Sequence, residues 1–252
     1  MRTTVCPRGG RSTVSARRIR VPRWLIVISI ATAGSVAGAV VMARMIDYKE
    51  WLCSQVVVPH GRGGRIVARA MPMFHSVFYG PAAKHLDLGH DDILLDVACG
   101  SGVFLDRYAG DVHRIAGIDL SDIQIDLARR RLQGRIADGS AEIVAGDAAH
   151  LPWDDDTFTA AACVGSFDYF AVPGAALREI RRVLQPGGRV VLTYGIDDTN
   201  EKVVAQIASW GLPQPTEGEA RTLIEDAGFI LDEITYLSGD YPARYLHATK
   251  PA

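Results

Sequence analysis

The sequence predicts an α/β domain: a mostly parallel β-sheet with helices on both faces, preceded by a hydrophobic N-terminal helix. Three observations carry this. An apolar, strand-like segment runs straight into a glycine loop at Leu94-Leu95-Asp96-Val97-Ala98-Cys99-Gly100-Ser101-Gly102. A second acidic strand end, Gly117-Ile118-Asp119-Leu120-Ser121, follows at the distance expected of an acid that holds ribose hydroxyls. Strand-like and helix-like segments then alternate to the end of the chain.

With 252 residues, the natural partition is one domain of about 160 residues plus extensions. Residues 1–23 form a basic segment with seven arginines and no acid. The rest of the chain holds 20 basic and 29 acidic residues, a net charge of −9. An acidic body argues against nucleic acid as a partner, because binding phosphates needs a basic face. Residues 24–46 begin with 20 uncharged residues, 24–43, between Arg23 and Arg44. At about 1.5 Å per residue, a helix of that length crosses the roughly 30 Å hydrocarbon core of a bilayer. Gly34 and Gly38 add a small-xxx-small pair. Five arginines lie close upstream, and only Arg44 and Lys49 close downstream. The positive-inside rule would put the N-terminus in the cytosol and the domain outside. Three readings stay open: a single-pass anchor with the domain inside, cleavage at Ala37-Gly38-Ala39, or a true start at Met42 or Met45.

Residues 47–90 read as a helical cap. Within it, 47–57 is a short amphipathic segment, 59–64 a loop, and 66–88 a set of helices broken at Pro72 and Pro81. Residues 91–252 form the core. Its strands fall near 93–97, 115–119, 141–145, 158–164, 189–194, 229–236 and 244–249. The helix over 121–133 has Ser121 as its N-cap and Arg129–Arg131 at its C-terminal end, where they complement the dipole. A helix over 173–184 is stopped by Pro186-Gly187-Gly188. A short connection at 238–242 makes the last two strands an antiparallel hairpin, unlike the others. Cys6, Cys53, Cys99 and Cys163 show no paired or metal-ligand spacing, so no metal site is expected. Cys99 and Cys163 read as buried thiols in a reducing compartment.

Gly100 and Gly102 let the backbone turn sharply and approach a ligand closely. The helical segment over 103–109 would aim its first N–H groups back at that loop. A dinucleotide fingerprint needs a third glycine where Leu105 stands, and a P-loop ends in Lys-Ser/Thr; the loop has neither. A glycine loop alone is also an ordinary strand–helix turn. Two later stretches narrow the reading. Ala145-Gly146-Asp147-Ala148 closes the third strand and precedes Leu151-Pro152-Trp153-Asp154-Asp155-Asp156-Thr157-Phe158. Leu177-Arg178-Glu179-Ile180-Arg181-Arg182-Val183-Leu184-Gln185-Pro186-Gly187-Gly188-Arg189-Val190-Val191-Leu192 follows the fourth. With these motifs in order, residues 91–250 resemble the class I S-adenosylmethionine-dependent methyltransferases, in the broad group that includes the ubiquinone- and menaquinone-biosynthesis type.

The resemblance implies a Rossmann-like seven-stranded sheet with an antiparallel last strand, and S-adenosyl-L-methionine as cofactor. It implies that Asp96 orients the loop near the methionine amino group, and that Gly100 and Gly102 make room for the methionine and ribose portions. Ala98 stands where the family usually has its first glycine. Asp119 would hold the ribose 2′ and 3′ hydroxyls, and Leu120 would pack against adenine. Asp147 would accept from the adenine amino group while the Ala148 N–H donates to the ring. A strand-end Asp is also a common helix cap, although Ser121 can take that job beside Asp119. The cofactor is a cytosolic metabolite, so a cytosolic catalytic domain is expected, either anchored through 24–43 or lacking that segment.

Methyl transfer is an in-line displacement at a sulfonium methyl. The protein aligns the partners, excludes water and, for a poorly acidic hydroxyl, supplies a base. The strand and loop over 160–170 lack the Asn-Pro-Pro-Tyr box of amide methylation, so O- or C-methylation is expected. Phe167, Tyr169 and Phe170 either line an acceptor pocket or fill core. His75, in Met71-Pro72-Met73-Phe74-His75-Ser76, is the first candidate base, because related enzymes fold a helix over the active site there. Asp168 is the second. Each has a structural alternative, a packed imidazole or a capping carboxylate. Tyr194 is expected on the cofactor side. The acceptor is expected to be a small or lipid-like molecule. Two other readings are a non-enzymatic S-adenosylmethionine-binding or membrane-scaffold protein, and a nucleotide-dependent oxidoreductase. Leu105 and the Asp147-Ala148 pair disfavour the second.

Overall fold

Strands whose side chains alternate between two apolar faces must be covered on both sides, and the chain does this with helices packed on both faces of the sheet. The computed structural model describes residues 51, 54, 55, 57–196, 215–238 and 242–252. In chain order these form α1 (Gly61–Leu86), β1 (Ile93–Val97), α2 (Val103–Tyr108), β2 (Arg114–Asp119), α3 (Asp122–Arg131), α4 (Gln133–Ala137) and β3 (Ala141–Ala145). β4 (Phe158–Cys163), a 3-10 turn (Phe167–Tyr169), α5 (Pro173–Val183), β5 (Leu184–Thr193), α6 (Glu217–Asp226), β6 (Ile230–Leu237) and β7 (Ala243–Thr249) follow.

The seven strands make one sheet in the order β3-β2-β1-β4-β5-β7-β6. β1 to β5 pair in parallel, and β7 lies antiparallel to both β5 and β6. The expected Rossmann-like sheet with a reversed last strand is therefore present. Alternation along the strands builds two cores. Leu95, Val97, Ala161 and Cys163 pack with Leu177 and Ile180 of α5 and Ile224 of α6. Leu94, Ala160, Ala162 and Val191 face the other way, toward Leu86 of α1, Phe104 of α2 and Ile125 of α3.

Several boundaries differ from the sequence expectation. The 59–64 loop and the broken helices after it are one helix, α1, which starts at Gly61 and runs through Pro72 and Pro81. Proline inside a helix costs about 3 kcal/mol. Tertiary packing offsets this: Ala68, Ala82 and Leu86 are wholly buried, and Tyr245 Oη donates to the Phe78 carbonyl. β5 begins at Leu184, so Pro186-Gly187-Gly188 lies within the strand rather than before it. Gly187 N donates to Lys250 O and Lys250 N to Gly188 O, which keeps that run paired. The helix expected over 121–133 divides at Leu132 into α3 and α4. Cys99 and Cys163 are buried free thiols, as expected. The expected N-terminal hydrophobic helix and the 24–43 run lie outside the described residues. Among the described residues, no helix is long and apolar enough to cross a membrane.

Candidate functional site

In a sheet of this order, the connections after β1 and β4 leave on opposite faces, and a crevice opens at the carboxyl ends of the strands between them. A cavity of about 360 Å³ occupies that position. The loop after β1 forms one wall. Ala98, Gly100 and Gly102 all have left-handed backbone, with φ of 58°, 53° and 73°. This tight path is closed by Gly102 N donating to Cys99 O and Cys99 N to Ile118 O. Arg131 Nε, from the end of α3, donates to Ser101 O.

Asp119, the last residue of β2, binds this loop directly. Its Oδ2 accepts from Gly100 N and its Oδ1 from Ser121 N, both at 2.9 Å. Burial pushes the Asp119 pKa up, and the two N–H donors hold it back. Ser121 caps α3, accepting from Gln124 N, and its hydroxyl donates to Pro59 O. Asp119 O also accepts from Gly146 N, which ties the β2 and β3 loops together. In the β3 loop, Asp147 Oδ1 accepts from Ala149 N. Leu120 stands 46% exposed beside it and lines the cavity with Ala98, Gly100, Asp119, Asp147 and Ala148. These six expected residues share one space.

Asp96, Gly102, Asp168 and Tyr194 do not line it. Asp96 is 3% exposed, and its Oδ2 has no hydrogen-bond partner. Burial first, and then the Asp119 charge, drive the Asp96 pKa well above the carboxylate range. Gly102 faces α3, where an added methyl would come within 3.1 Å of Ala128 Cβ. Asp168 lies off the cavity; its Oδ1 accepts from Gly195 N at 2.8 Å and so supports the end of β5. Tyr194, expected on the cofactor side, instead packs edge-on against Phe167, 5.1 Å between ring centres. The aromatic trio divides: Phe167 belongs to the core, while Tyr169 and Phe170 line the cavity.

His75 lines the cavity from α1, against Gly165 at the end of β4; an added methyl there would lie 3.4 Å from His75 Nδ1. Burial lowers the His75 pKa, so the imidazole is neutral at pH 7. Sequence reasoning missed Met71, Pro72, Val172 and Gln124, which also line the cavity. Gln124 is 4% exposed; its Nε2 contacts Met71 Sδ, and its Oε1 is unpartnered. A polar residue on the buried stripe of α3, beside Ile125 and Ala128, was the available signal.

Comparison with known proteins agrees with this geometry. The family described as "Methyltransferase domain" matches residues 95–192. A demethylmenaquinone methyltransferase of Clavibacter sepedonicus is 36% identical over 99 residues, 39% of each chain. An O-methyltransferase of Aspergillus nomiae is 31% identical over 149 residues, 56% of this chain and 66% of that one. The chain spans about half the length of the curated relatives it matches. The solved geranyl diphosphate C-methyltransferase of Streptomyces coelicolor superposes with a TM-score of 0.58 at 20% identity, covering 68% of this chain and 78% of that one. A [4+2]-cyclase shares the fold equally well, with a TM-score of 0.58 at 23% identity, covering 69% of this chain and 80% of that one. The segment matched by that family, residues 95–192, is the one that carries the glycine loop and the Asp119 and Asp147 strand ends.

Proposed function

We propose that this chain is an S-adenosylmethionine-dependent methyltransferase that carries a methyl group to an oxygen or carbon of a small, apolar acceptor. One observation carries the reading: a single cavity joins a polar wall from the β1, β2 and β3 loops to an apolar wall from α1 and the β4 loop. Asp119, Asp147 and Gly100 stand on the first; Met71, Pro72, Tyr169 and Phe170 stand on the second.

The polar wall fits the cofactor by its donors and acceptors. Each Asp119 oxygen holds one backbone N–H and keeps further acceptor capacity, which suits the vicinal hydroxyls of a ribose. Asp96 Oδ2, buried without a donor, suits an ammonium group. Asp147 keeps one oxygen for an exocyclic amine, and the exposed Leu120 side chain offers an apolar face to a flat ring. When bound, S-adenosylmethionine would supply an electrophilic methyl on a sulfonium, a cation that would favour the charged forms of Asp96 and Asp119 that burial alone disfavours. The chain's own work is to align the acceptor, exclude water and move a proton. His75 is suited to moving the proton, because it is neutral and, among the described residues, makes no hydrogen bond to protein. Tyr169 and Phe170 offer apolar surface to an acceptor, in line with the quinone and prenyl acceptors in the names of the relatives.

The domain works in the cytosol in this reading, either anchored through the run 24–43 or lacking that segment. Recovery of the intact domain outside a sealed membrane would overturn that part. The cofactor is tested by titrating the full chain calorimetrically with S-adenosylmethionine, S-adenosylhomocysteine and NAD, with Asp119→Ala as control. Micromolar binding of the first two, lost in the variant, supports the proposal; binding of NAD alone overturns it. Because a cyclase shares the fold, methyl incorporation into quinone and prenyl acceptors must be measured as well.

A further inference from the structure

A second convergence of side chains lies outside the cofactor cavity, on the α1 face of the sheet at its β6–β7 edge. Glu233 of β6 stands directly opposite His247 of β7, so the two side chains share a face. His247 pairs in turn with Val191 of β5, a residue of the core layer beneath α1. That register sets which helix covers them. His85, in the last turn of α1, closes over the pair, with the His85 and His247 ring centres 4.0 Å apart. One nitrogen from each histidine and one Glu233 oxygen all lie within 4.8 Å of one another. Thr235, two residues along the same face, has its hydroxyl 2.9 Å from His247 Nε2 and 3.4 Å from His85 Nε2. A hydroxyl has one proton to give, so it can donate to only one of the two rings.

We propose that His85, Glu233 and His247 form a binding site for a divalent transition-metal ion of the zinc type. Two imidazoles and one carboxylate suit Zn²⁺, Co²⁺, Ni²⁺ or Cu²⁺, whereas Mg²⁺ and Ca²⁺ need predominantly oxygen ligands. The geometry is within reach. Three atoms no more than 4.8 Å apart share a centre at most about 2.8 Å from each. Zinc binds nitrogen and oxygen at about 2.0–2.2 Å, so each ligand closes by roughly 0.7 Å through side-chain rotation. Glu233 is exposed and His85 half-buried, which gives the ion a path from solvent and leaves a fourth position for water. His85 stands on α1, remote in the chain from the β6–β7 hairpin that carries Glu233 and His247, so no sequence spacing announces the site. An ion there would clamp the end of α1 to the edge hairpin. The same helix carries His75 ten residues earlier, about 15 Å along its axis.

The test uses the untagged full chain, stripped with a chelator and then titrated with Zn²⁺ and Co²⁺ in the absence of any cofactor. One equivalent should bind. Co²⁺ should give visible absorption bands that Zn²⁺ abolishes, and the thermal midpoint should rise with Zn²⁺. Glu233→Gln, an exposed change that leaves the core intact, should weaken Zn²⁺ binding about tenfold or more. His85→Gln should do the same and remove the thermal shift. Wild-type Zn²⁺ affinity in both variants, with unchanged circular dichroism, would overturn the proposal. So would a stripped chain that binds Zn²⁺ without saturation at one equivalent.

Discussion

Asp119→Asn is the perturbation that reads the candidate site most directly. The substitution keeps the size of the side chain and one carbonyl oxygen, and it removes the charge. At present Oδ2 accepts from Gly100 N and Oδ1 from Ser121 N. An amide accepts through one oxygen only, so one of these N–H groups loses its partner, at about 1–3 kcal/mol. Burial already disfavours the Asp119 charge, and the neutral amide avoids that cost. The two effects oppose each other, so the thermal midpoint should move little. Binding has no such offset. Two charge-assisted hydrogen bonds from a ribose diol, at about 1.5–3 kcal/mol each, together contribute roughly 3–6 kcal/mol, a 10²–10⁴-fold change in Kd. Calorimetric titration of both proteins with S-adenosylhomocysteine at pH 7.5 measures this. If the folded variant binds within about threefold of wild type, Asp119 does not hold the ribose and the reasoning fails.

Other outcomes follow from the same geometry. His75→Ala should leave cofactor affinity intact and lower kcat. In wild type the rate should fall as pH drops through the lowered His75 pKa, below the ordinary 6.5, and that acid limb should vanish in the variant; a large loss of cofactor affinity would make His75 a binding or folding residue instead. Ala98→Gly relieves a left-handed alanine at φ 58°. The relief of about 1–2 kcal/mol exceeds the entropy that glycine adds to the unfolded chain, so chemical denaturation should show a gain of up to about 1 kcal/mol. A less stable variant would refute the strain. Burial pushes Asp168 up to about 6. Between its ordinary value and about 6 the native chain binds that proton more tightly than the unfolded chain, so the Asp168 contribution to stability falls as pH rises. The window spans roughly two pH decades at about 1.4 kcal/mol each, about 3 kcal/mol at most. Asp168→Asn keeps an acceptor for Gly195 N and should flatten that slope in urea melts between pH 4 and 7; an unchanged slope would assign it to another group.

Residues that are neighbours in the chain, or one parallel step apart, take their places from the sequence. The run from Ile93 to Gly102 dictates strand, left-handed turn and helix start through its apolar period and its glycines. The parallel register of β1 with β2, Asp96 opposite Gly117, then brings Asp119 to the Gly100 N–H. Both motifs are therefore legible in the chain alone. The tertiary structure decided what depends on long-range packing. α1 keeps its helix through Pro72 and Pro81 because burial of Ala68, Ala82 and Leu86 outweighs local propensity. Asp168 and Tyr194 carry residue types fit for catalysis, yet the β4–β5 packing turns one to Gly195 and the other to Phe167. Gln124 enters the cavity because α3 docks with that residue on its buried side. His85, Glu233 and His247 meet only because β7 inserts antiparallel between β5 and β6 beneath the end of α1. Local dihedral preference and hydrophobic period act over a few residues, whereas strand order and register act across the whole chain, and only the folded sheet carries that information.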